Sequence, residues 1–220
     1  MKYRSFEFSL FGVNTYIVWD PATLDCAIVD PSMTTEAEAS VIDNFITANS
    51  LRPVHLVNTH LHLDHTFGDE HIMERYGLLL EAHPDDAFLG ASRQSQADMF
   101  HLPLELPPVT VGVALRGGDT VRVGDGSLEV LDVPGHSPGS IALYDSADGF
   151  VLTGDALFAG SVGRTDLPRG NHAQLIDSIT RRLLTLPPDT IVLPGHGRPT
   201  TIAEEQRHNA DSTCKCKIRQ

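Results

Sequence analysis

The sequence has few cysteines, few basic residues and no long apolar run. Three cysteines in 220 residues are too few for a disulfide framework, which is typical of a reducing compartment. Lys and Arg number 16 against 29 Asp and Glu, and the net charge of −13 argues against nucleic acid or anionic membranes as partners. No stretch approaches the roughly 18 apolar residues of a membrane span, and the N-terminus lacks a signal-peptide core. We therefore expect a cytoplasmic protein.

The chain is, by contrast, rich in histidine, with 11 copies against 4 tyrosines. Its length fits one domain, its 41% of apolar residues suffices for a sizeable core, and no Gly- or Ser-rich linker divides it. We predict a single domain over residues 1–210, followed by a frayed tail over 211–220 that includes Cys214 and Cys216. Nothing in the sequence indicates an oligomeric state.

The hydrophobic pattern predicts short strands interrupted by a few helices. The predicted helices cover about fifteen residues from Thr34, then residues 68–76, 172–186 and 202–209. The predicted strands cover residues 14–19, 26–29, 54–58, 78–82, 120–123, 128–132, 141–144, 150–153 and 191–193. Residues 91–118 are predicted to form an irregular loop or lid. Two facing sheets with helices outside would accommodate this order.

A dense group of metal-ligand residue types follows the predicted strand 54–58. His60, His62, Asp64 and His65 lie within six residues. In extended backbone, alternate residues point the same way, so His60 and His62 can share one metal ion. Asp64 and His65 come where the chain turns into a helix, and they can aim at a neighbouring point. Neutral imidazole and carboxylate groups suit zinc, iron and manganese.

Three further apolar strands end in a Gly-containing turn that carries a possible ligand: His136, Asp155 and His196. A glycine lets the backbone turn sharply, so the next side chain can project from the end of the strand. A single histidine is most often an ordinary surface or packed residue, but packing does not explain four such strand ends. We therefore predict a metal site at one edge of the fold. The remaining histidines are expected to be ordinary: His55, His71, His83, His101, His172 and His208.

These residues resemble the metallo-β-lactamase superfamily, over nearly the whole chain. The segments Thr153–Phe158, Gly163–Asp166 and Pro194–Gly197 are similar to the glyoxalase II (hydroxyacylglutathione hydrolase) branch, in particular its short bacterial members without a C-terminal helical domain. The resemblance implies an α+β fold, a four-layer αββα sandwich, with a two-metal site at one edge.

The resemblance also implies roles for individual residues. The first metal would be held by His60, His62 and His136, the second by Asp64, His65 and His196, with Asp155 bridging. Two divalent ions, zinc foremost with iron or manganese as alternatives, would hold a bridging hydroxide that Asp64 orients. That hydroxide would attack small-molecule thioesters such as S-lactoylglutathione. Independently of the resemblance, Thr59, Ser137 and Asp166 are candidates for orienting the imidazoles, by their proximity in sequence alone.

Departures from related patterns narrow the expected activity. Asp155 stands where the β-lactam-hydrolysing members usually have Cys or Ser, so β-lactam hydrolysis is not expected. Only a short segment follows His196 in this sequence, so a glutathione-binding helical domain is not expected. Arg164 and Arg169 are expected to meet an anionic part of the substrate, whereas Arg93 is expected to be a solvated surface residue.

Two alternatives to hydrolysis stay open. Persulfide dioxygenases of the same superfamily use one iron, held by the positions that match His60, His136 and Asp155, and they too contain Gly-Arg-Thr-Asp. A non-catalytic metal-binding module is the other alternative, although a structural zinc site is usually closed at four protein ligands.

Overall fold

Two six-stranded sheets form the centre of the fold in this computed structural model, which describes residues 1–8 and 10–213. The first sheet has the spatial order β1 (Lys2–Phe8), β2 (Val13–Trp19), β3 (Asp25–Val29), β4 (Arg52–Val57), β5 (Leu80–Ala82) and β6 (Val113–Ala114). β1, β2 and β3 pair antiparallel, whereas β3 to β6 pair parallel. Parallel strands end at the same edge, so the residues after β3 and β4 meet there.

The second sheet is largely antiparallel, with one parallel pair that matters for the site. Its strands are β7 (Thr120–Val123), β8 (Gly126–Asp132), β9 (Ile141–Asp145), β10 (Phe150–Gly154), β13 (Ile191–Pro194) and β14 (Thr200–Thr201). Their spatial order is β14-β13-β10-β9-β8-β7, and β10 pairs parallel with β13. A separate hairpin is made by β11 (Leu157–Phe158) and β12 (Ser161–Val162).

Helices connect and cover the sheets. They are α1 (Glu36–Ala48), α2 (Asp69–Tyr76), α3 (Ala87–Ala91), α4 (Arg93–Met99), α5 (His172–Ser178), α6 (Ile202–His208) and α7 (Ala210–Thr213). α5 continues into a π-helical turn over Ile179–Leu183, and short 3₁₀ turns cover Leu63–His65 and Pro84–Asp86. Thr35 caps the N-terminus of α1, because its hydroxyl accepts a hydrogen bond from the backbone N–H of Glu38.

The alternation of side chains along the strands creates three apolar layers. On β2, Ile17 packs outward with α1 and α2, whereas its neighbours Tyr16 and Val18 pack between the two sheets. On β10, Val151 packs outward with α5 and α6, while Phe150 and Leu152 face the first sheet. Each sheet is therefore covered by helices outside and by the other sheet inside. The predicted α+β fold, an αββα sandwich, is confirmed.

The segment 91–118 differs from the prediction, because it contains α4 and the short strand β6. The sequence of α4 is mostly polar, so it has no hydrophobic periodicity from which a helix could be predicted. Its buried residues are instead held by groups distant in sequence: the Gln96 amide donates to the Leu89 carbonyl (2.8 Å) and accepts from the Leu63 N–H (3.1 Å). Tertiary hydrogen bonds have overridden a weak local pattern.

Arg93 is the clearest correction to the sequence analysis, since its side chain is buried rather than solvated. The guanidinium donates to the Thr66 hydroxyl (3.1 Å), the Thr66 carbonyl (2.9 Å) and the Pro107 carbonyl (2.7 Å). Its charge also lies 3.4 Å from the Glu70 carboxylate. Arginine supplies several donors in one rigid fork, and the partners come from two segments, residues 66–70 and Pro107, that the sequence alone does not bring together.

In the C-terminal segment, α7 extends to Thr213. Residues 214–220, with the predicted frayed tail's Cys214 and Cys216, lie outside the described residues. Within the described part of the chain, no helix combines the length and apolarity needed to cross a membrane.

Candidate metal centre

Seven ligand-type side chains from four strand ends converge at one edge of the two sheets. The residues of the His60–His65 segment follow β4, while His136 follows β8 after a short turn. Asp155 and His196 follow the parallel neighbours β10 and β13. This is the arrangement that the strand-end pattern in the sequence predicts.

The three histidines assigned to the first metal point ring nitrogens at one another. His136 Nε2 lies 3.2 Å from His60 Nε2 and 2.8 Å from His62 Nδ1, and all three rings are buried. Nitrogens bound to one tetrahedral ion at 2.0–2.1 Å would be about 3.3 Å apart. These three nitrogens therefore have nearly the spacing of three corners of a metal coordination sphere.

The second group is formed by Asp64, His65 and His196, and Asp155 lies between it and the first. Asp155 Oδ2 is 3.6 Å from His136 Nε2 and 3.5 Å from His196 Nε2. His196 Nε2 is also 3.5 Å from Asp64 Oδ2, and Asp155 Oδ1 is 3.3 Å from His65 Nε2. Asp155 thus contacts both groups.

Burial and charge prepare these residues for cations. His65 Nε2 and Asp155 Oδ1 are buried polar atoms without a hydrogen-bond partner among the described residues. Burial lowers the pKa of His60 well below its ordinary value and that of His62 to about 3, so both rings are neutral at pH 7. Burial opposes ionisation of Asp155, but His65 and His196 outweigh it and hold the pKa of Asp155 well below normal. Neutral imidazoles beside carboxylates fit a divalent transition metal.

Main-chain carbonyls fix the protonation of two of the histidines. His136 Nδ1 lies 2.7 Å from the Arg164 carbonyl, and His196 Nδ1 lies 3.1 Å from the Phe11 carbonyl. A carbonyl only accepts, so each Nδ1 must carry the proton. Nε2 is then the nitrogen of each ring that faces the cluster and can bind a cation.

Asp30, which the sequence analysis missed, supports the site from beneath. Its Oδ2 lies 3.0 Å from His65 Nδ1, and its carboxylate accepts hydrogen bonds from the Thr59 N–H and hydroxyl, both at 2.7 Å. Thr59 Oγ1 is in turn 3.2 Å from His60 Nδ1. The signal in the sequence was an acidic residue at the end of a buried strand, directly before a proline.

Two other residues considered for this supporting role have different partners. The Ser137 hydroxyl donates to Asp86 (2.6 Å), which also accepts the Leu61 and Gly139 N–H groups at 3.2 and 2.7 Å. Asp166 pairs with Arg164.

The glycines at the strand ends act in two ways. Gly135 has a φ of +137°, in agreement with the sharp turn expected before His136. Gly195 instead permits a close approach, because a Cβ there would collide with Asp155 Oδ1 and lie 2.8 Å from His65 Cε1. Any larger residue at 195 would displace these two side chains.

The cluster forms the floor of a cavity of about 530 Å³. Arg164 lines this cavity, and its guanidinium forms two hydrogen bonds of 2.7 Å with Asp166. Arg169 lies outside the cavity lining, with its guanidinium 4.0 Å from the centre of the Phe88 ring. The structure therefore places only one of the two predicted substrate-binding arginines on the cavity wall.

An αββα sandwich with a buried His and Asp cluster at one edge defines a class of metal-dependent proteins, mostly hydrolases. The chain belongs to the metallo-β-lactamase superfamily, whose family model matches residues 9–196. The hydroxyacylglutathione hydrolase GloC of Haemophilus influenzae is 35% identical over 203 residues, which are 90% of this chain and 92% of that protein. The resemblance to short glyoxalase II-like members is thereby confirmed.

Solved structures with the same fold include proteins whose names differ in function. A di-iron form of TTHA1623 matches with a TM-score of 0.82 and 34% identity, over 94% of this chain and 98% of that one. ETHE1 from Myxococcus xanthus matches with a TM-score of 0.79 and 34% identity, over 96% and 84%. The B3 metallo-β-lactamase BLEG-1 matches with a TM-score of 0.80 and 29% identity, over 96% and 100%. The superfamily is shared, whereas the reaction differs among these relatives.

Proposed function

We propose that the chain is a metal-dependent hydrolase of small-molecule thioesters, of the glyoxalase II kind. The observation that carries this proposal is the position of Asp155, which contacts both ligand groups at the floor of a cavity. One carboxylate shared in this way suits two neighbouring cations. The similarity to GloC supports thioesters as the substrate class.

The two ion sites are proposed to be those of the sequence analysis. His60, His62 and His136 would hold one ion, and Asp64, His65 and His196 the other, with Asp155 between them. When bound, divalent ions supply a water of lowered pKa and an electrophilic contact for a carbonyl oxygen. Zinc, iron and manganese all bind ligands of these types. The similarity to the di-iron form of TTHA1623 supports iron as an alternative to zinc.

The chain's own groups can perform the remaining tasks. The Asp64 side chain is 17% exposed and lines the cavity, so its carboxylate can accept a hydrogen bond from the attacking water. Hydrolysis adds the water oxygen to the thioester carbon and breaks the C–S bond. A leaving thiol has a pKa of about 8.5, so it departs as a thiolate without a dedicated acid.

A metal count followed by an assay tests the proposal. Protein purified without added metal is analysed for zinc, iron and manganese, then assayed with S-lactoylglutathione before and after dialysis against a chelator. We expect close to two ions per chain and turnover that the chelator abolishes and added metal restores. Absence of chelator-sensitive thioester hydrolysis with every metal would refute the proposal.

Persulfide dioxygenation is the second candidate, favoured by the similarity to the human mitochondrial persulfide dioxygenase ETHE1, which is 29% identical over 209 residues, 92% of this chain and 72% of that protein. A single iron per chain, with oxygen consumption on glutathione persulfide, would select it over hydrolysis. A β-lactam completes the substrate panel because of the similarity to BLEG-1. We expect no β-lactam turnover, since Asp155 occupies the position where such enzymes usually have Cys or Ser.

A further inference from the structure

We propose that the substrate carries an apolar, uncharged group beside its thioester, and that this group occupies the cavity in front of the metal centre. The inference rests on the proposed thioester hydrolysis and adds the chemical class of the substrate. Aromatic and aliphatic groups are both included, attached on either the acyl or the thiol side of the scissile bond.

The wall that faces the ligands is the first observation. It is built from the β1–β2 turn, α3, α4, β11 and the loop before α5. Its apolar side chains are Phe11, Phe88, Leu89, Met99, Phe100, Phe158, Leu167 and Pro168. Ser92, Ser95, Gln96 and Arg164 are the polar members of the lining outside the ligand set. An apolar wall opposite a polar reaction centre is the usual form of a site that binds an apolar group.

Exposed aromatic and apolar side chains at the cavity are the second observation. Phe11 and Phe100 are 36% and 37% exposed, with ring centres 6.0 Å apart, and Met99 is 57% exposed. Phe11 also stacks on Phe67 at 6.0 Å. Exposed apolar groups gathered at a concave surface mark a binding site, because leaving them in water is unfavourable.

The shortage of available positive charge is the third observation. Among the described residues, Arg164 is the one Lys or Arg that lines the cavity, and its Nε and Nη2 already donate to the two carboxylate oxygens of Asp166. Arg93, the first residue of α4, is buried and donates to main-chain carbonyls. Arg169 is stacked on the outer side of Phe88.

These observations disfavour a charged thiol such as glutathione as the preferred leaving group. Its carboxylates would lie against an apolar wall without a free cation, in a chain whose net charge is −13. Transfer of a charge from water to such a surface is unfavourable without a partner. A cavity of about 530 Å³ also exceeds what a small acyl group needs. Apolar groups fill it without either penalty.

The test compares thioesters that differ in one group at a time. Acetyl-N-acetylcysteamine has no apolar group, phenylacetyl-N-acetylcysteamine has one on the acyl side, and S-acetyl benzyl mercaptan has one on the thiol side. S-lactoylglutathione supplies the charged thiol. We expect kcat/KM for at least one of the two apolar thioesters to exceed that of acetyl-N-acetylcysteamine and S-lactoylglutathione by at least ~10-fold.

A binding measurement separates this inference from the proposed function. The thioether S-phenethyl-N-acetylcysteamine cannot be hydrolysed, and we expect it to bind the metal-loaded protein and inhibit competitively. Binding of the thioether without hydrolysis of any thioester would refute the proposed function and leave the cavity assignment intact. Hydrolysis of S-lactoylglutathione as fast as the apolar thioesters, without thioether binding, would overturn the inference alone.

Two variants test the wall directly. Met99→Ser removes an exposed apolar side chain at the end of α4, and we expect a ~3- to 10-fold loss of the preference for the apolar thioester. Val41→Ser is the matched control, because Val41 is 46% exposed on α1 and lies outside the cavity lining; it should leave the preference unchanged. Ser95→Arg adds a cation to the wall and should raise relative turnover of S-lactoylglutathione. An unchanged preference in both wall variants would contradict the proposal.

Discussion

The floor and the wall of the same cavity are built by opposite means. The floor consists of buried His and Asp side chains at the ends of strands, and the sheets hold them in register. The wall consists of apolar side chains on a turn, two short helices and a loop, several of them exposed. Metal chemistry needs donor atoms placed within tenths of an ångström, which strand ends supply. Substrate selection tolerates more movement of the contacting side chains, so it can be provided by loops.

Breaking the floor should have the largest effect. Asp155→Asn removes the charge shared by both ligand groups while nearly preserving the shape of the side chain. We expect hydrolysis of the preferred thioester to fall by ~10³-fold, together with the metal content. Metal analysis and kcat/KM measured on the same preparation check this. Asp177→Asn, on the exposed face of α5, is the control and should match the wild type.

Removing the side chain that supports the cavity wall should lower the stability of the fold before it lowers the metal content. Arg93→Ala leaves the Thr66 and Pro107 carbonyls without their donor in a buried setting. We expect the free energy of unfolding to fall by ~3 kcal/mol, measured by denaturant titration. Arg182→Ala, at an exposed position, should change it by less than ~0.5 kcal/mol. A variant of Arg93 as stable as the wild type would show that α4 does not depend on this side chain.

A smaller effect is expected from a substitution of Asp30, which lies beneath the metal ligands and outside the cavity wall. Asp30 has a φ of +50°, which Asn tolerates well, so Asp30→Asn removes charge from beside His65 with little backbone cost. We expect metal affinity to fall by ~10–100-fold, measured by competition with a chromogenic chelator. Substrate preference, which the wall determines, should not change. A loss of preference at unchanged metal affinity would reverse the assignment of roles.

The smallest expected effect lies outside both regions. The hydrogen bond that His55 Nδ1 donates to the Glu81 carboxylate, 2.6 Å away, raises the pKa of His55 above its ordinary value. The folded state therefore binds the proton more tightly than the unfolded state. The resulting stability is present below the unfolded-state pKa of about 6.5 and disappears as pH rises through the higher folded value.

The partly exposed position of this pair limits its contribution to about 1 kcal/mol. Comparing unfolding of the wild type and His55→Gln at pH 6 and above pH 8 checks it. The difference between the two proteins should shrink at the higher pH, and a difference that grows with pH would contradict the assigned sign.

The contrast between floor and wall also explains how far the sequence could be interpreted. The seven ligand-type residues could be predicted to converge because they stand in short motifs at the ends of apolar strands, where the direction of each side chain follows from local geometry. The αββα layers followed from the family resemblance and the alternating strands. Asp30 was missed, because its partners His65 and Thr59 lie some thirty residues away and only the parallel pairing of β3 with β4 brings them together.

The wall could not be predicted for a related reason. α4 has no clear apolar stripe, and its stability depends on Arg93 and Gln96 contacting segments before and after it. An arginine in a polar stretch is usually solvated, so the expectation for Arg93 was the ordinary one and it was wrong. Burial of an arginine depends on partners that converge only in the folded chain.

The two main-chain carbonyls that hold His136 and His196 belong to Arg164 and Phe11, whose own side chains line the cavity. A carbonyl oxygen is the same whichever side chain its residue carries. Mutations at positions 11 and 164 can therefore alter what the cavity accepts while the imidazole supports persist. Substrate preference can therefore change during evolution while the main-chain support of the metal-binding histidines is retained.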